Sequence, residues 1–153
     1  MAEKPAPNAF SRLWRRVWLE FTLRLAGSPR SREDEPLARY LTQERLFRVD
    51  PPQVRYRAFM PPKDGKTSVY RIAGLKRETV WRIGDVFVAA PTDRTILARG
   101  DVSPAIVRAA GLEIEPDNRP PRHASIVGWR DKDWQMSAAQ LLAAQAVLTV
   151  RPE

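Results

Sequence analysis

The sequence predicts an α+β fold, in which short helices pack on a small mixed or antiparallel sheet and an N-terminal amphipathic helix precedes them. Strand-like segments alternate with short helical ones along the chain, which is typical of this class. A doubly wound parallel sheet would need longer crossover helices and a glycine-rich first turn, and the sequence has neither. With 153 residues, 43% of them hydrophobic, the chain is long enough to form a folded domain with its own core.

The N-terminal helix is the clearest element in the sequence. Large apolar residues recur there at intervals of three and four, which predicts one continuous apolar stripe along the helix. Asn8 is placed to begin this helix and Gly27 to end it. The stripe consists of Phe10, Leu13, Trp14, Val17, Trp18, Phe21 and Leu25.

A polar, proline-bounded segment, SPRSREDEP, follows the helix. It predicts a division of the chain into an N-terminal helix with its linker over residues 1–32 and a compact α+β domain over residues 33–153.

Within that domain, the segment PLARYLTQERLF is expected to form a short helix or turn. VRYRAFM and TSVYRI are expected to be the strands of a hairpin, because Asp-Gly in the intervening PPKDGK favours a turn. LKRETVWRIGD predicts a helix that ends at Gly84, and VFVAAP and RTILARGD predict strands. SPAIVRAAG predicts a helix capped by Ser103, LEIEP and HASIVGW predict strands, and DKDWQMSAAQLLAAQAVL predicts a helix opened by Asp131 or Asp133.

The amino-acid composition excludes several kinds of catalytic and metal-binding site. The chain has no cysteine and one histidine, which removes disulfides, thiol catalysis and an ordinary zinc site, and we expect neither a metal nor another cofactor. The net charge of +8 favours anionic partners. No run of eighteen apolar residues and no signal-peptide pattern occurs, so a cytoplasmic bacterial protein is expected.

The first candidate site is the aromatic stripe of the N-terminal helix, with Phe10, Trp14, Trp18 and Phe21 as anchors. Such a stripe can fold back onto the domain and complete its core. It can also dock into a groove on a partner protein or lie in a membrane interface.

The second candidate site is the basic segment from Val54 to Arg82, which contains eight lysines and arginines but only two acidic residues. We expect Arg55, Arg57, Arg71, Lys63 and Lys66 to form a nucleic-acid-binding surface. Aromatic neighbours could stack on bases there. The simpler alternative is a solvated sheet face whose arginine stems cover those aromatics.

The third candidate site is the segment RPPRHASIVGW, which contains the single histidine. Arg119, Arg122 and His123 could together stabilise a phosphoryl group and move a proton, as a metal-independent ribonuclease requires. The structural alternative is that His123 simply begins the strand that follows it.

These observations lead to one leading hypothesis and two alternatives. The leading hypothesis is a small, basic, non-catalytic accessory protein that binds a partner protein through its N-terminal helix and also contacts nucleic acid. The first alternative is a toxin-like ribonuclease that uses His123 with Arg119 and Arg122. The second is a membrane-surface protein anchored by residues 9–26.

Overall fold

The computed structural model of the chain describes the backbone of residues 9–25 and 33–153, and the side chains of residues 11–24 and 33–153. The predictions for Asn8, Gly27, the side chains of Phe10 and Leu25, and most of the linker therefore lie outside the described residues. Helix α1 spans Ala9–Leu25, as the apolar periodicity predicts.

A six-stranded sheet forms the centre of the domain, and every neighbouring pair of its strands is antiparallel. The strand order is β6-β7-β4-β1-β5-β8. The strands are β1 (Leu37–Leu41), β4 (Thr67–Arg71), β5 (Ala98–Val102), β6 (Glu113–Pro116), β7 (His123–Val127) and β8 (Val147–Val150). The short strands β2 (Phe47–Arg48) and β3 (Gln53–Val54) pair separately with each other. The predicted α+β class is confirmed.

Helices cover both faces of the sheet. On one face, α4 (Pro104–Ala109) and α5 (Lys132–Gln145) contribute side chains to a cluster that we call the first core. On the other face, α1 contributes to a second core, together with a helical segment. That segment consists of α2 (Arg77–Ile83), a π-helical stretch (Gly84–Ala89) and α3 (Ala90–Thr92).

Two predicted helices have the expected start signals. The Ser103 side chain accepts a hydrogen bond from the Ile106 backbone N–H at 3.3 Å, at the start of α4. The Asp131 side chain accepts one from the Trp134 N–H at 2.9 Å, at the start of α5. Each bond satisfies one of the backbone donors that a helix leaves without a partner in its first turn.

The prediction of a helix or turn in PLARYLTQERLF is wrong for its first half, which forms β1. β1 lies between β4 and β5 and pairs with both. Leu37 and Leu41 point into the first core, whereas Ala38 and Tyr40 point into the second. Burial on both faces therefore overrides the helical propensity of Leu, Ala and Arg.

The predicted hairpin between VRYRAFM and TSVYRI does not form. Val54 pairs instead with Phe47 of β2, and the chain turns into a 3-10 helix at Tyr56–Ala58. TSVYRI supplies β4, whose partners are β1 and β7. Asp64 still accepts a bond from the Lys66 backbone N–H at 3.0 Å, so the Asp-Gly signal marks a turn but not a two-stranded unit.

The helical segment continues past Gly84, where the sequence predicts a stop, and VFVAAP is helical rather than a strand. Gly84 has ordinary right-handed helical angles. A Cβ atom there would lie 2.7 Å from Cδ1 of Tyr40. This glycine therefore lets the helical segment approach the sheet closely and does not cap a helix.

Candidate functional site

Helix α1 lies on the second core through only a small part of its surface. Leu19 and Leu23 are each 2% exposed and belong to that core. The Arg16 guanidinium lies 5.6 Å from the centre of the Phe87 ring, which belongs to the π-helical stretch. The prediction that α1 folds back onto the domain therefore holds for these contacts, but not for its aromatic stripe.

The stripe predicted from the sequence faces away from the domain. Trp18 and Phe21 are 62% and 55% exposed, and their rings form an edge-to-face pair with centroids 6.3 Å apart. We call this surface the exposed face of α1. It consists of Leu13, Trp14, Val17, Trp18 and Phe21, each at least half exposed.

Helical geometry explains this division. At about 100° per residue, the exposed face spans an arc of roughly 140° on the side opposite Leu19 and Leu23. Trp14 and Trp18 also border an open groove of about 780 Å³ that lies beside Trp81 and Arg151. The exposed face of α1 is therefore a protruding aromatic surface with a groove along one side.

Most arginines of α1 lie on the side toward the domain. Arg12, Arg15 and Arg16 line a groove of about 770 Å³ between α1 and the helical segment, and Asp85 and Asp93 line the same groove. Arg16 also forms an ion pair with Glu20 at 3.0 Å. Helical geometry places Arg24 within the arc of the exposed face, so the positive charge of that face is confined to its last turn, although α1 as a whole is basic.

The structure places Arg119, Arg122 and His123 in different environments. Arg119 is exposed, whereas Arg122 is 4% exposed. Arg122 donates from Nη1 to the carbonyl oxygens of Ala73 and Arg71 at 3.1 and 3.4 Å. Burial, together with the nearby charge of Arg71, lowers the pKa of Arg122. Arg122 is therefore directed into the fold, and the three residues do not line one open cleft.

His123 begins β7, which is the structural alternative that the sequence offered. Its Nδ1 lies 2.7 Å from Oδ1 of Asp117, and its ring meets Tyr70 edge to face with centroids 5.2 Å apart. Burial opposes the charge on Asp117. Hydrogen bonds from the Arg119 backbone N–H and from His123 outweigh that effect, so the pKa of Asp117 lies below its usual value. These contacts hold the imidazole beside β4.

The predicted nucleic-acid-binding residues are also divided between several environments. Arg71 is buried in an ion pair with Glu35, at 3.1 Å. Lys66 forms an exposed ion pair with Glu115 at 3.4 Å, and Lys63 is exposed. Arg55 and Arg57 remain together at the solvent-facing surface.

Arg55 and Arg57 line an open groove of about 670 Å³ together with Arg45 and Arg48, which lie outside the basic segment predicted from the sequence. We call it the arginine groove. The pairing of β2 with β3 brings these residues together, because the chain folds back through a turn at residues 49–52. The sequence signal was the pair of short apolar runs around DPP, which is too brief to predict strand pairing.

Within residues 9–25 and 33–153, no three histidine or acidic side chains come close enough together to hold a metal ion. In the same part of the chain, no helix is both long and apolar enough to cross a membrane.

The chain matches no protein-family model, no curated protein sequence and no solved structure.

Proposed function

We propose that this chain is a non-catalytic interaction protein that docks onto a partner protein through the exposed face of α1. The observation that supports the proposal is the solvent exposure of Leu13, Trp14, Val17, Trp18 and Phe21 on a helix that is already anchored by its opposite side. Exposed apolar patches of this kind mark interaction surfaces.

The spacing of these residues suits helix-in-groove recognition. Trp14, Val17 or Trp18, and Phe21 recur at intervals of three and four residues, which places anchors on successive turns of one face. Tryptophan is among the residue types that supply most of the binding free energy at protein interfaces. Covering one large apolar side chain contributes about 1.5–3 kcal/mol, so two or three anchors can support a specific complex.

The arrangement of charge favours a protein over a membrane surface. A helix that lies in a membrane interface needs cationic side chains at the edges of its apolar face, where they reach anionic headgroups. Helical geometry places Ser11 and Thr22 along one edge of the exposed face and Glu20 along the other. Arg12 and Arg15 line the groove toward the domain, and Arg15 also lines the groove beside Trp14 and Trp18. Helical geometry places Arg24 within the exposed face, in its last turn. This single arginine on the face is fewer than the cationic side chains that a membrane-surface helix presents along its apolar face.

A photo-cross-linking amino acid at Trp18 of the full chain, expressed in its own host, tests the proposal. We expect a discrete adduct with one other protein upon irradiation. The matched control places the same amino acid at Val147, which is 66% exposed on β8, and should give no such adduct. Adding Trp14→Ser and Phe21→Ser to the Trp18 variant should abolish the adduct, because the flanking anchors are lost.

The identified protein is then purified and titrated with the unmodified chain. Trp18→Ser should weaken that binding by at least about tenfold, the scale of a residue that contributes 1.4 kcal/mol or more. Three results would overturn the proposal: no adduct at Trp18, an adduct with twice the mass of the chain, or binding of the wild type to anionic vesicles that Trp18→Ser removes. The second result would indicate self-association and the third a membrane surface.

A further inference from the structure

The arginine groove lies on the side of the sheet opposite α1, and residues 45–57 and the C-terminal half of α5 build it. Arg45 comes from the 3-10 turn before β2, Arg48 from β2, and Arg55 and Arg57 from the chain after β3. Gln140, Ala143 and Ala144 of α5 line the other side. The groove is therefore part of the folded domain, and it shares no lining residue with the exposed face of α1.

The positive charge of this groove is uncompensated. No carboxylate lines it, and among the described residues none of its four arginines has an acidic side chain within ion-pair distance. Elsewhere in the same part of the chain, Arg71, Arg99 and Arg151 each pair with a carboxylate. Four guanidinium groups that line one groove without acidic partners repel each other, so a bound anion would stabilise the arrangement.

The hydrogen bonds that two of these arginines form do not neutralise their positive charge. Arg45 Nε donates to Oε1 of Gln43 at 2.5 Å, and Arg48 Nη2 donates to Oε1 of Gln53 at 3.0 Å. Both acceptors are neutral amides. The C-terminal end of α5 adds about half a negative charge at most, which is small against four positive charges. The amides therefore position guanidinium groups that keep further donors for a ligand.

The shape and the aromatic content of the groove narrow the ligand class. Guanidinium groups bind phosphate oxygens in a bidentate manner, and several in one groove suit a ligand with successive phosphates. Tyr56 also lines the groove, partly exposed, with the Arg57 guanidinium 6.0 Å from its ring centre. Proteins that bind single strands combine a basic groove with aromatic stacking surfaces. Reading a duplex instead requires an element that projects into its grooves.

We propose that the arginine groove binds the phosphodiester backbone of a single-stranded nucleic acid. The proposal is independent of the docking function of α1, because the two surfaces lie on opposite sides of the sheet. It extends the surface expected from the sequence by Arg45 and Arg48, and it leaves out Arg71, whose guanidinium is buried against Glu35.

The test is a fluorescence-anisotropy titration of the full chain with a labelled single-stranded RNA, a single-stranded DNA and the corresponding duplex, at several salt concentrations. We expect at least one single strand to bind more tightly than the duplex. Each phosphate contact contributes about −0.7 to the slope of log affinity against log salt for single strands, so four contacts predict a slope near −3.

The decisive variant is Arg55→Gln with Arg57→Gln, and its matched control is Arg77→Gln with Arg94→Gln. All four residues are exposed and both variants lose two positive charges, but only the first pair lines the groove. The groove variant should bind the strand at least about tenfold more weakly, with a slope shallower by roughly 1.4. The control should stay within about twofold of the wild type, apart from a small long-range effect of charge.

Several results would overturn the proposal. One is the absence of binding to any single strand at about 50 mM salt, where phosphate contacts are strong. Another is an equal loss of affinity in the two variants, which would indicate non-specific attraction to a basic protein. Inorganic phosphate that competes as well as an oligonucleotide would show that the groove takes a small anion and not a strand.

Discussion

Helices α1 and α5 are both rich in apolar residues, yet the fold treats them in opposite ways. α1 has the clearer apolar stripe in the sequence, but it buries only Leu19 and Leu23 among its described side chains and turns that stripe to solvent. α5 has almost no amphipathic pattern beyond Met136. It nevertheless buries Ala138, Ala139, Leu142 and Ala143 in the first core.

Side-chain size accounts for much of this difference. The alanines of α5 allow its backbone to approach the sheet closely, so one leucine and several methyl groups fill the space beneath it. α1 instead contacts the second core through two leucines, Leu19 and Leu23, and its aromatic side chains lie on the opposite side of the helix. An apolar stripe in the sequence thus indicates which face of a helix is suited to burial, but it does not identify whether the same domain or another molecule buries it.

The largest expected effect is on the α5 side of this comparison. Leu142 is completely buried in the first core, so Leu142→Ala should lower the free energy of unfolding by about 2–5 kcal/mol through lost burial and a residual cavity. Urea denaturation followed by circular dichroism measures it. The control is Leu141→Ala on the same helix, where Leu141 is 41% exposed. Equal losses in the two variants would contradict the buried packing of α5.

The second effect compares the two sides of α1. Leu23→Ala should lower the free energy of unfolding by about 1–2 kcal/mol, less than Leu142→Ala, because α1 can undock locally and so limits the cost. Trp18→Ala should change it by no more than about 0.5 kcal/mol, since the indole is 62% exposed. Denaturation and hydrogen exchange of the α1 amides measure both.

That pair of variants also examines the proposed docking surface. A loss of stability from Trp18→Ala as large as that from Leu23→Ala would mean that the indole supports the fold of the isolated chain. The exposed face of α1 would then need no partner, and the proposed function would lose its main observation.

The sequence was informative wherever a local signal decides the structure. Ser103 and Asp131 begin helices because each side chain caps backbone N–H groups within three residues of itself. The periodicity of α1 likewise predicts its helix and its apolar face. These features depend on neighbours in the sequence and can be predicted from them.

Features set by distant contacts were not predictable in this way. β1 is a strand because β4 and β5 pair with it on both sides, although its composition favours a helix. The π-helical stretch contains Val86, Phe87 and Val88, which favour strands. It remains helical where Gly84 packs against Tyr40, across about forty residues of sequence.

The candidate sites likewise depend on contacts between residues that are distant in the sequence. Charge and aromatic content identified the Val54–Arg82 segment, but only strand pairing separates Arg55 and Arg57 from Arg71 and brings in Arg45 and Arg48. His123 and Arg122 are adjacent in the sequence, yet their side chains have different partners. Arg122 lies in the turn before β7 with a left-handed φ of 73°, so its side chain does not share the direction of the His123 side chain, and proximity in sequence does not make them one site.

The smallest expected effect concerns the second core, on which α1 lies. Burial raises the pKa of Tyr70 to about 12, and Tyr70 packs there against Tyr40 and Phe87. In the unfolded chain a tyrosine loses its proton near pH 10. Between pH 10 and about 12 the unfolded state therefore releases a proton that the folded state keeps, so stability is present below this window and is lost as the pH rises through it.

Tyr70→Phe should remove that loss. Relative to its own stability at pH 8, we expect the wild type to lose on the order of 1 kcal/mol more than Tyr70→Phe by pH 11, because one pKa unit corresponds to about 1.4 kcal/mol. Urea denaturation of both proteins at the two pH values measures this difference. Because both proteins contain the same lysines, the effect of lysine titration cancels in the comparison. Parallel losses in the two proteins would show that the Tyr70 hydroxyl ionises freely. That result would mean that solvent reaches the second core, and that α1 and the helical segment cover the sheet less completely than α5 covers its opposite face.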